Sequence, residues 1–263
     1  MKEPSIIGLM SDFGTGDGYV GAMKGRILSE VPHASIVDLT HDIPSFSIED
    51  GAFALNNCYR QFPKGSVFVV VVDPGVGTER SAVILKTKDH WFVGPDNGVF
   101  SYVIHNERIY EAFDILIDKL PFEISSTFHG RDVFAPVGAW LSDHRKIDEF
   151  VRPHGTIISF LNEPHTESDT FIEGQVIHID KFGNAILNIT RNHLPEPTRS
   201  EIHTNLNNTE LKGIRDTFGQ VPVGSPLINF ESTGFLQISV NQGHAAQHFG
   251  LSLRDKIRFK LTQ

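Results

Sequence analysis

The sequence predicts an α/β domain with a largely parallel central sheet over residues 1–160, a polar linker at 161–170 and a small all-β domain over 171–263. Three observations carry that division. In the first part, strand-like apolar runs alternate with helix-like stretches, the texture of successive βα units. Those runs are continuous in Val, Ile and Leu rather than alternating, as expected of strands buried on both faces. Near residue 155 the texture changes: polar LNEPHTESDT (161–170) gives way to short alternating runs separated by Gly, Asn and Pro, which read as strands joined by turns.

The elements follow in order. IIGLMS (6–11) reads as a buried strand, and a helix follows through Ala22 to Leu28. SIVDLT (35–40) is the second strand. SIEDGAFALNNCYRQF (47–62) is the second helix, with Ser47 and Asp50 at capping spacing. VFVVVVD (67–73), SAVILKT (81–87) and HWFVGP (90–95) are further strands, and an apolar helix follows FHGRD (128–132). In the second part GQVIHI, NAILNIT, LINF and FLQISV are the clearest strands.

Composition limits the function classes. A net charge of −9 without a long basic run argues against a nucleic-acid surface. The longest strong apolar run, VFVVVV (67–72), is too short to cross a bilayer. Cys58 is the single cysteine, so no internal disulfide forms, and a cytoplasmic location with Cys58 as a small buried hydrophobe is expected.

GDGYVG (16–21) spells G-x-G-x-x-G, and Asp38 follows Gly18 at the spacing of a ribose-binding acid in a dinucleotide fold. Asp12 and Asp17 oppose that reading, because two carboxylates repel a pyrophosphate where bare N–H groups are needed. A ligand offering hydroxyls or positive charge fits better. Two domains imply a cleft, and in the α/β part ligands sit beyond the carboxyl ends of the strands.

The residues that end strands therefore matter most. Asp73 follows six apolar residues, and burying it requires a partner; Arg80 lies seven residues on, past a Gly-rich turn. A turn-capping aspartate with a solvated arginine is the plainer alternative. DPGVGTER is no P-loop, lacking Lys-Ser/Thr. His129, Arg131 and Asp132 precede the apolar helix, where His129 could position or deprotonate a nucleophile and an acid suits the helix dipole; a surface histidine is the bland reading. His244 and His248 are four apart with no third ligand in view, so no metal is expected. Asp180, Phe182 and Asn184 bracket a tight turn that could serve an amino group, a base and an amide edge, or be an ordinary hairpin loop. No G-x-S-x-G elbow is present.

MSDFG, DPGVGTER, GPDNG, FHGRDVFAP, IDKFGN and GFLQISVNQGHAA occur in this order. Through them the whole chain resembles the S-adenosyl-L-methionine (SAM) hydroxide adenosyltransferases, relatives of the fluorinase and chlorinase enzymes. The resemblance implies a C-terminal β-barrel, a homotrimer with the ligand between neighbouring subunits, and hydrolysis of SAM to adenosine and L-methionine by water attacking C5′. SAM is then substrate, and no cofactor is needed. The resemblance makes Asp73, Arg80 and His129 catalytic. Asp12 binds the ribose hydroxyls, Asp180 the methionine amino group, Asn184 and the backbone near Val240 the adenine, and Ser232 the amino acid. Phe46, Phe182 and Phe218 wall the nucleoside. Thr233 stands where the halogenases carry Arg, and Gly130 where the fluorinase carries a serine for halide. The halogenases lack the carboxylate of Asp73. A SAM-dependent halogenase and a non-catalytic adenosine- or SAM-binding protein are the alternatives.

Overall fold

A computed structural model of the chain describes residues 5–108, 110–167, 170–194 and 202–261. It divides into two compact units, Met1–Leu161 and Asn162–Gln263.

Among the described residues the first unit has seven strands: β1 (Ile7–Ser11), β2 (Ile36–Thr40), β3 (Val67–Val71), β4 (Ala82–Lys86), β5 (Trp91–Pro95), β6 (Glu111–Ile115) and β7 (Val151–Pro153). They form one sheet in the order β2-β1-β3-β5-β4-β6-β7. The β2-β1-β3-β5 block is parallel. β4 runs against both β5 and β6, and β7 against β6, so β4 and β7 are the two reversed strands.

The run VFVVVV shows why this sheet has two covered faces. Successive side chains of a strand point to opposite sides. Val67, Val69 and Val71 pack with α1 (Tyr19–Glu30) and α4 (Ala135–Ser142), through Met23, Ile27 and Val137. Phe68, Val70 and Val72 pack on the other side with α2 (Ile48–Cys58) and α3 (Ser101–Glu107), through Leu55 and Val103. Ser47 caps α2 by accepting from the Asp50 N–H, and a π-helical turn, Gly130–Phe134, leads into α4.

The second unit has β8 (His165–Glu167), β9 (Phe171–Ile179), β10 (Ala185–Thr190), β11 (Ile202–Leu206), β12 (Thr209–Lys212), β13 (Ile214–Arg215), β14 (Pro226–Phe230), β15 (Phe235–Val240) and β16 (Lys256–Leu261), with a short helix α5 (Ala245–Phe249). β8 falls in the stretch whose composition reads as a linker and pairs with β9. The sheet runs β12-β11-β16-β9-β10-β15-β14-β13 and curls until β12 lies against β14, a nearly closed barrel. Alternation sets its inside: in β16, Ile257, Phe259 and Leu261 are buried and the residues between them exposed.

Candidate active site

β1 lies between β2 and β3, so the chain leaves it one way to β2 and returns to its other side at β3. Such a reversal marks the usual ligand position in open α/β sheets, beyond the carboxyl ends of the strands, here β1 and β3. Asp12 directly follows β1, and Asp73 stands two residues beyond β3. Ser11 pairs with Val71 in register, and neighbouring strands are ~4.8 Å apart, so both acids stand at the same rim.

The loop from Asp73 to Arg80 folds back on itself. Arg80 Nε donates to Asp73 Oδ1 at 2.9 Å, and Nη2 donates to Asp73 Oδ2. Both side chains are buried, 5% exposed for Asp73 and 9% for Arg80. A bidentate guanidinium–carboxylate pair satisfies a charge that such burial would otherwise penalise. Gly77 sits at φ +76°, and a side chain there would run into the Ser126 carbonyl, so glycine lets the loop press against the segment carrying His129. Arg80 Nη2 reaches His129 Nδ1 at 2.9 Å, which brings all three expected catalytic residues together. The Nη1 group of Arg80 is buried without a hydrogen-bond partner among the described residues.

Arginine has no acceptor atom, so His129 Nδ1 must accept this bond. Neutral His129 then carries its proton on Nε2. Burial, and after it the positive charge of Arg80, hold the His129 imidazolium below the ordinary histidine range. The Nδ1 lone pair is therefore engaged by Arg80, which leaves Nε2–H as the group that His129 can present to a ligand.

Asp12 Oδ2 accepts the Phe46 N–H at 2.8 Å. Phe46 stands at φ +69°, a strained conformation for a non-glycine residue, and the residue is 70% exposed. Phe13, Tyr19 and Phe128 stack edge to face nearby, with centroids 5.4–5.9 Å apart, and Gly130 packs against Phe13, Phe128 and Met23. Asp132 accepts the Ser125 N–H and pairs with Arg131. Asp38 is no ribose ligand: Lys24 holds Oδ2 at 2.6 Å and His41 holds Oδ1 at 3.1 Å, while His41 Nδ1 meets buried Ser11 Oγ at 2.8 Å. This chain steadies the end of β1 beside Asp12. The Asp-x-x-His spacing of residues 38 and 41 is the only trace of it in the sequence.

In the second unit the turn between β9 and β10 is built by Asp180. Its Oδ1 accepts the N–H groups of Phe182 and Asn184, at 3.0 and 2.8 Å, and Oδ2 accepts from Asn184 Nδ2 at 2.8 Å. Gly183 sits at φ +83°, and a side chain there would run into the His244 ring. His244 caps α5 through Nδ1, which accounts for one histidine of HAAQH without a metal. Asn184 precedes Ala185, which pairs with Ile238 near the Val240 end of β15. Asn241 bonds the Val221 carbonyl just past the Phe218–Gln220 turn. Asp180, Phe182, Asn184, Phe218 and Val240 thus share one end of this unit. Ser232 does not. It lies in the hairpin turn before Phe235, at the far end of β15, about 20 Å away at ~3.4 Å per residue. There Glu231, which sequence reasoning missed, holds the Thr233 N–H, the Thr233 hydroxyl and the Phe235 N–H at 2.5–2.9 Å.

Family models for the SAM hydroxide adenosyltransferase N-terminal and C-terminal domains match residues 7–151 and 174–258. The chain belongs to the SAM hydroxide adenosyltransferase family. It is 37% identical to an (R)-S-adenosyl-L-methionine hydrolase from Methanocaldococcus jannaschii, over 96% of this chain and 94% of that protein. A fluorinase from an Actinoplanes species is 29% identical over 94% of each. The crystal structure of an uncharacterized conserved protein from Thermotoga maritima superposes with a TM-score of 0.86 at 33% identity, covering 97% of this chain and 99% of that one.

As a member of this family the chain presents little rival chemistry. Cys58 donates to the Ala54 and Leu55 carbonyls, and burial pushes its thiol up to about 11, so it is a poor nucleophile. Among the described residues no cluster of three or more His, Cys, Asp or Glu could hold a metal, and no helix is long and apolar enough to cross a membrane.

Proposed function

We propose that the chain hydrolyses SAM to adenosine and L-methionine. The observation that carries this reading is the buried Asp73–Arg80–His129 cluster at the rim shared with Asp12. A diol suits a carboxylate where a pyrophosphate would not, so Asp12 takes the ribose hydroxyls. Water attacks C5′ in line with the C5′–S bond; the C–O bond forms as the C–S electron pair leaves on sulfur. Methionine departs as a neutral thioether, so no general acid is needed. As the C–O bond forms the water becomes strongly acidic, and Asp73, whose oxygens keep lone pairs beyond those bonded to Arg80, accepts its proton and passes it to solvent. Arg80 fixes that carboxylate. Neutral His129 orients the water through Nε2–H, and alignment of the reactants contributes to the rate.

Asp180 is assigned to the methionine amino group, Asn184 and the backbone near Val240 to the adenine, Phe182 and Phe218 to the nucleoside walls, and Ser232, at the other end of β15, to the amino acid. Phe46, Phe182 and Phe218 are 70%, 75% and 41% exposed as residues. Aromatic walls of a nucleoside site left so open favour completion by a neighbouring subunit, in a cytoplasmic homotrimer whose mass would be three times 29.3 kDa.

Incubation with SAM in ¹⁸O-water, followed by mass spectrometry, tests the reaction. Label in the 5′-hydroxyl of adenosine is expected. A 5′-halo-5′-deoxyadenosine formed only with halide would make the chain a halogenase, and ligand binding without methionine release would make it a binding protein.

A further inference from the structure

The GPDNG segment, residues 94–98, has no part in the chemistry above, yet it stands directly beneath the catalytic loop. In the sheet β5 separates β3 from β4. The loop carrying Asp73 and Arg80 joins β3 to β4, so it must arch over the carboxyl end of β5, where Asp96 and Asn97 follow Pro95. Both feet of the arch are held from below. Asn97 Nδ2 donates to the Val72 carbonyl at 2.8 Å, at the peptide that leads into Asp73. The Asp96 N–H donates to the Ser81 carbonyl at 2.9 Å, at the residue after Arg80.

The support is itself braced. Asn97 Oδ1 accepts the Val99 N–H at 3.2 Å, so the amide is oriented from both ends. The Asp96 carboxylate is buried, accepts the Ile158 N–H at 2.9 Å and meets His154 Nε2 at 3.3 Å. His154 Nδ1 meets Asp114 at 2.8 Å, and Asp114 pairs with Arg152. Inside the arch the bonds are local: Val76 N–H to the Asp73 carbonyl, and the Thr78 N–H and hydroxyl to the Gly75 carbonyl. They fold the loop but do not tie it to the sheet.

We infer that Asn97 is a positioning residue for the reaction. Its side-chain amide sets the peptide before Asp73, and with the Asp96 backbone it fixes the spacing of the two loop feet, so that Asp73 meets Arg80 in bidentate register. This rests on the proposed hydrolysis for its kinetic consequence, but its structural part stands apart from it.

The test compares wild type with Asn97→Ala, which loses both side-chain bonds, and Asn97→Asp, which keeps an acceptor for Val99 N–H but offers no donor to Val72. Displacing a reacting group by about 1 Å costs up to about 10²-fold in rate. The expected result is a 10- to 100-fold loss of kcat in both variants, with KM for SAM within about threefold, because Asp12 and the second-unit turn are untouched. Ile84→Val, a buried change in β4, serves as a control that lowers thermal stability and leaves kcat unchanged. Independently of activity, the Arg80 Nε–H signal in ¹⁵N NMR, assigned by its loss in Arg80→Lys, should exchange with solvent at least tenfold faster in Asn97→Ala. Should Asn97→Ala fail to fold, Asn97→Asp decides. A kcat within twofold of wild type in a folded variant, or an Arg80 signal as protected as in wild type, overturns the inference. If wild type turns over no SAM, the proposed hydrolysis falls while the exchange measurement still decides the clamp.

Discussion

Replacing Asp73 by Asn removes one charge and keeps the shape, so its effect can be worked from the geometry. Asp73 and Arg80 are both buried, and a developing positive charge on the attacking water about 4 Å from the carboxylate is worth ~4 kcal/mol at an effective dielectric near 20. At ~1.4 kcal/mol per tenfold in rate, losing it slows kcat about 10³-fold, within the usual span of about 10² to 10⁴ for an acid–base group. The variant is also strained. Asn can accept from Arg80 Nε at one atom, but its NH₂ then faces Nη2, donor against donor, and the guanidinium is left buried and uncompensated. Breaking such a pair costs about 3–5 kcal/mol of stability, so the assay must run well below the melting temperature of the variant. Adenosine formation is followed by chromatography at saturating SAM, with circular dichroism to show a folded chain. Turnover within about threefold of wild type would refute the role given to this carboxylate.

Further outcomes follow from the same contacts. His129, held below the ordinary histidine value of about 6.5 by burial and then by Arg80, must be neutral to accept from Arg80, so kcat should be flat from pH 6.5 to 8 and fall only below that range. Stability carries the same sign: at pH values between the depressed folded pKa and 6.5 the unfolded chain binds more protons, so the contribution is complete above 6.5 and is lost as pH falls towards the folded value. A thermal-melt series from pH 5 to 8 should therefore show a weaker pH dependence in His129→Gln; equal slopes would contradict it. Asp12→Ala removes the acceptor of the Phe46 N–H and the proposed diol ligand, and should raise KM for SAM about 10- to 100-fold with a smaller change in kcat; a wild-type KM would remove Asp12 from the site. Gly183→Ala puts a Cβ into the His244 ring at φ +83° and should cost more than about 1 kcal/mol, lowering the melting temperature and weakening adenosine binding in calorimetry.

The α/β texture was legible because short, continuous runs rich in β-branched Val and Ile favour strands covered on both faces, and VFVVVV divides its side chains between two cores as that logic requires. The reversal of β4 was not, since SAVILKT pairs equally well in either direction and only the short KDH turn before β5 hints at a hairpin. The acids ending β1 and β3 were visible as charges placed after apolar runs. What they bond to was less so. The i, i+7 spacing of Asp73 and Arg80 left a solvated arginine open, and Gly77 against Ser126 closes the question, a contact between segments about 50 residues apart. The Rossmann-like interval to Asp38, which the flanking acids Asp12 and Asp17 already opposed, carries no information about Lys24, its partner one helix away. Ser232 lies at the opposite end of β15 from Val240, a separation that motif order alone does not reveal.

On the proposed hydrolysis, the same carboxylate favours water over a halide as the nucleophile. Asp73 and Arg80 cancel, and His129 is neutral, so the cluster carries no net charge before the sulfonium arrives. A halide would enter next to Asp73 with its full negative charge, at a cost on the order of 4 kcal/mol at 4 Å and an effective dielectric near 20. The attraction of Arg80 is already spent on Asp73, and the two N–H donors of its remaining Nη1 offer a halide only a partial return. In the proposed reaction water enters neutral, meets those donors at little electrostatic cost, and acquires positive charge only while its proton moves to Asp73, so the group that penalises a halide in the ground state assists water in the transition state. On the proposed hydrolysis the carboxylate thus acts on the two nucleophiles at different stages: it opposes halide entry in the ground state, and it stabilises the transition state for water, which raises kcat.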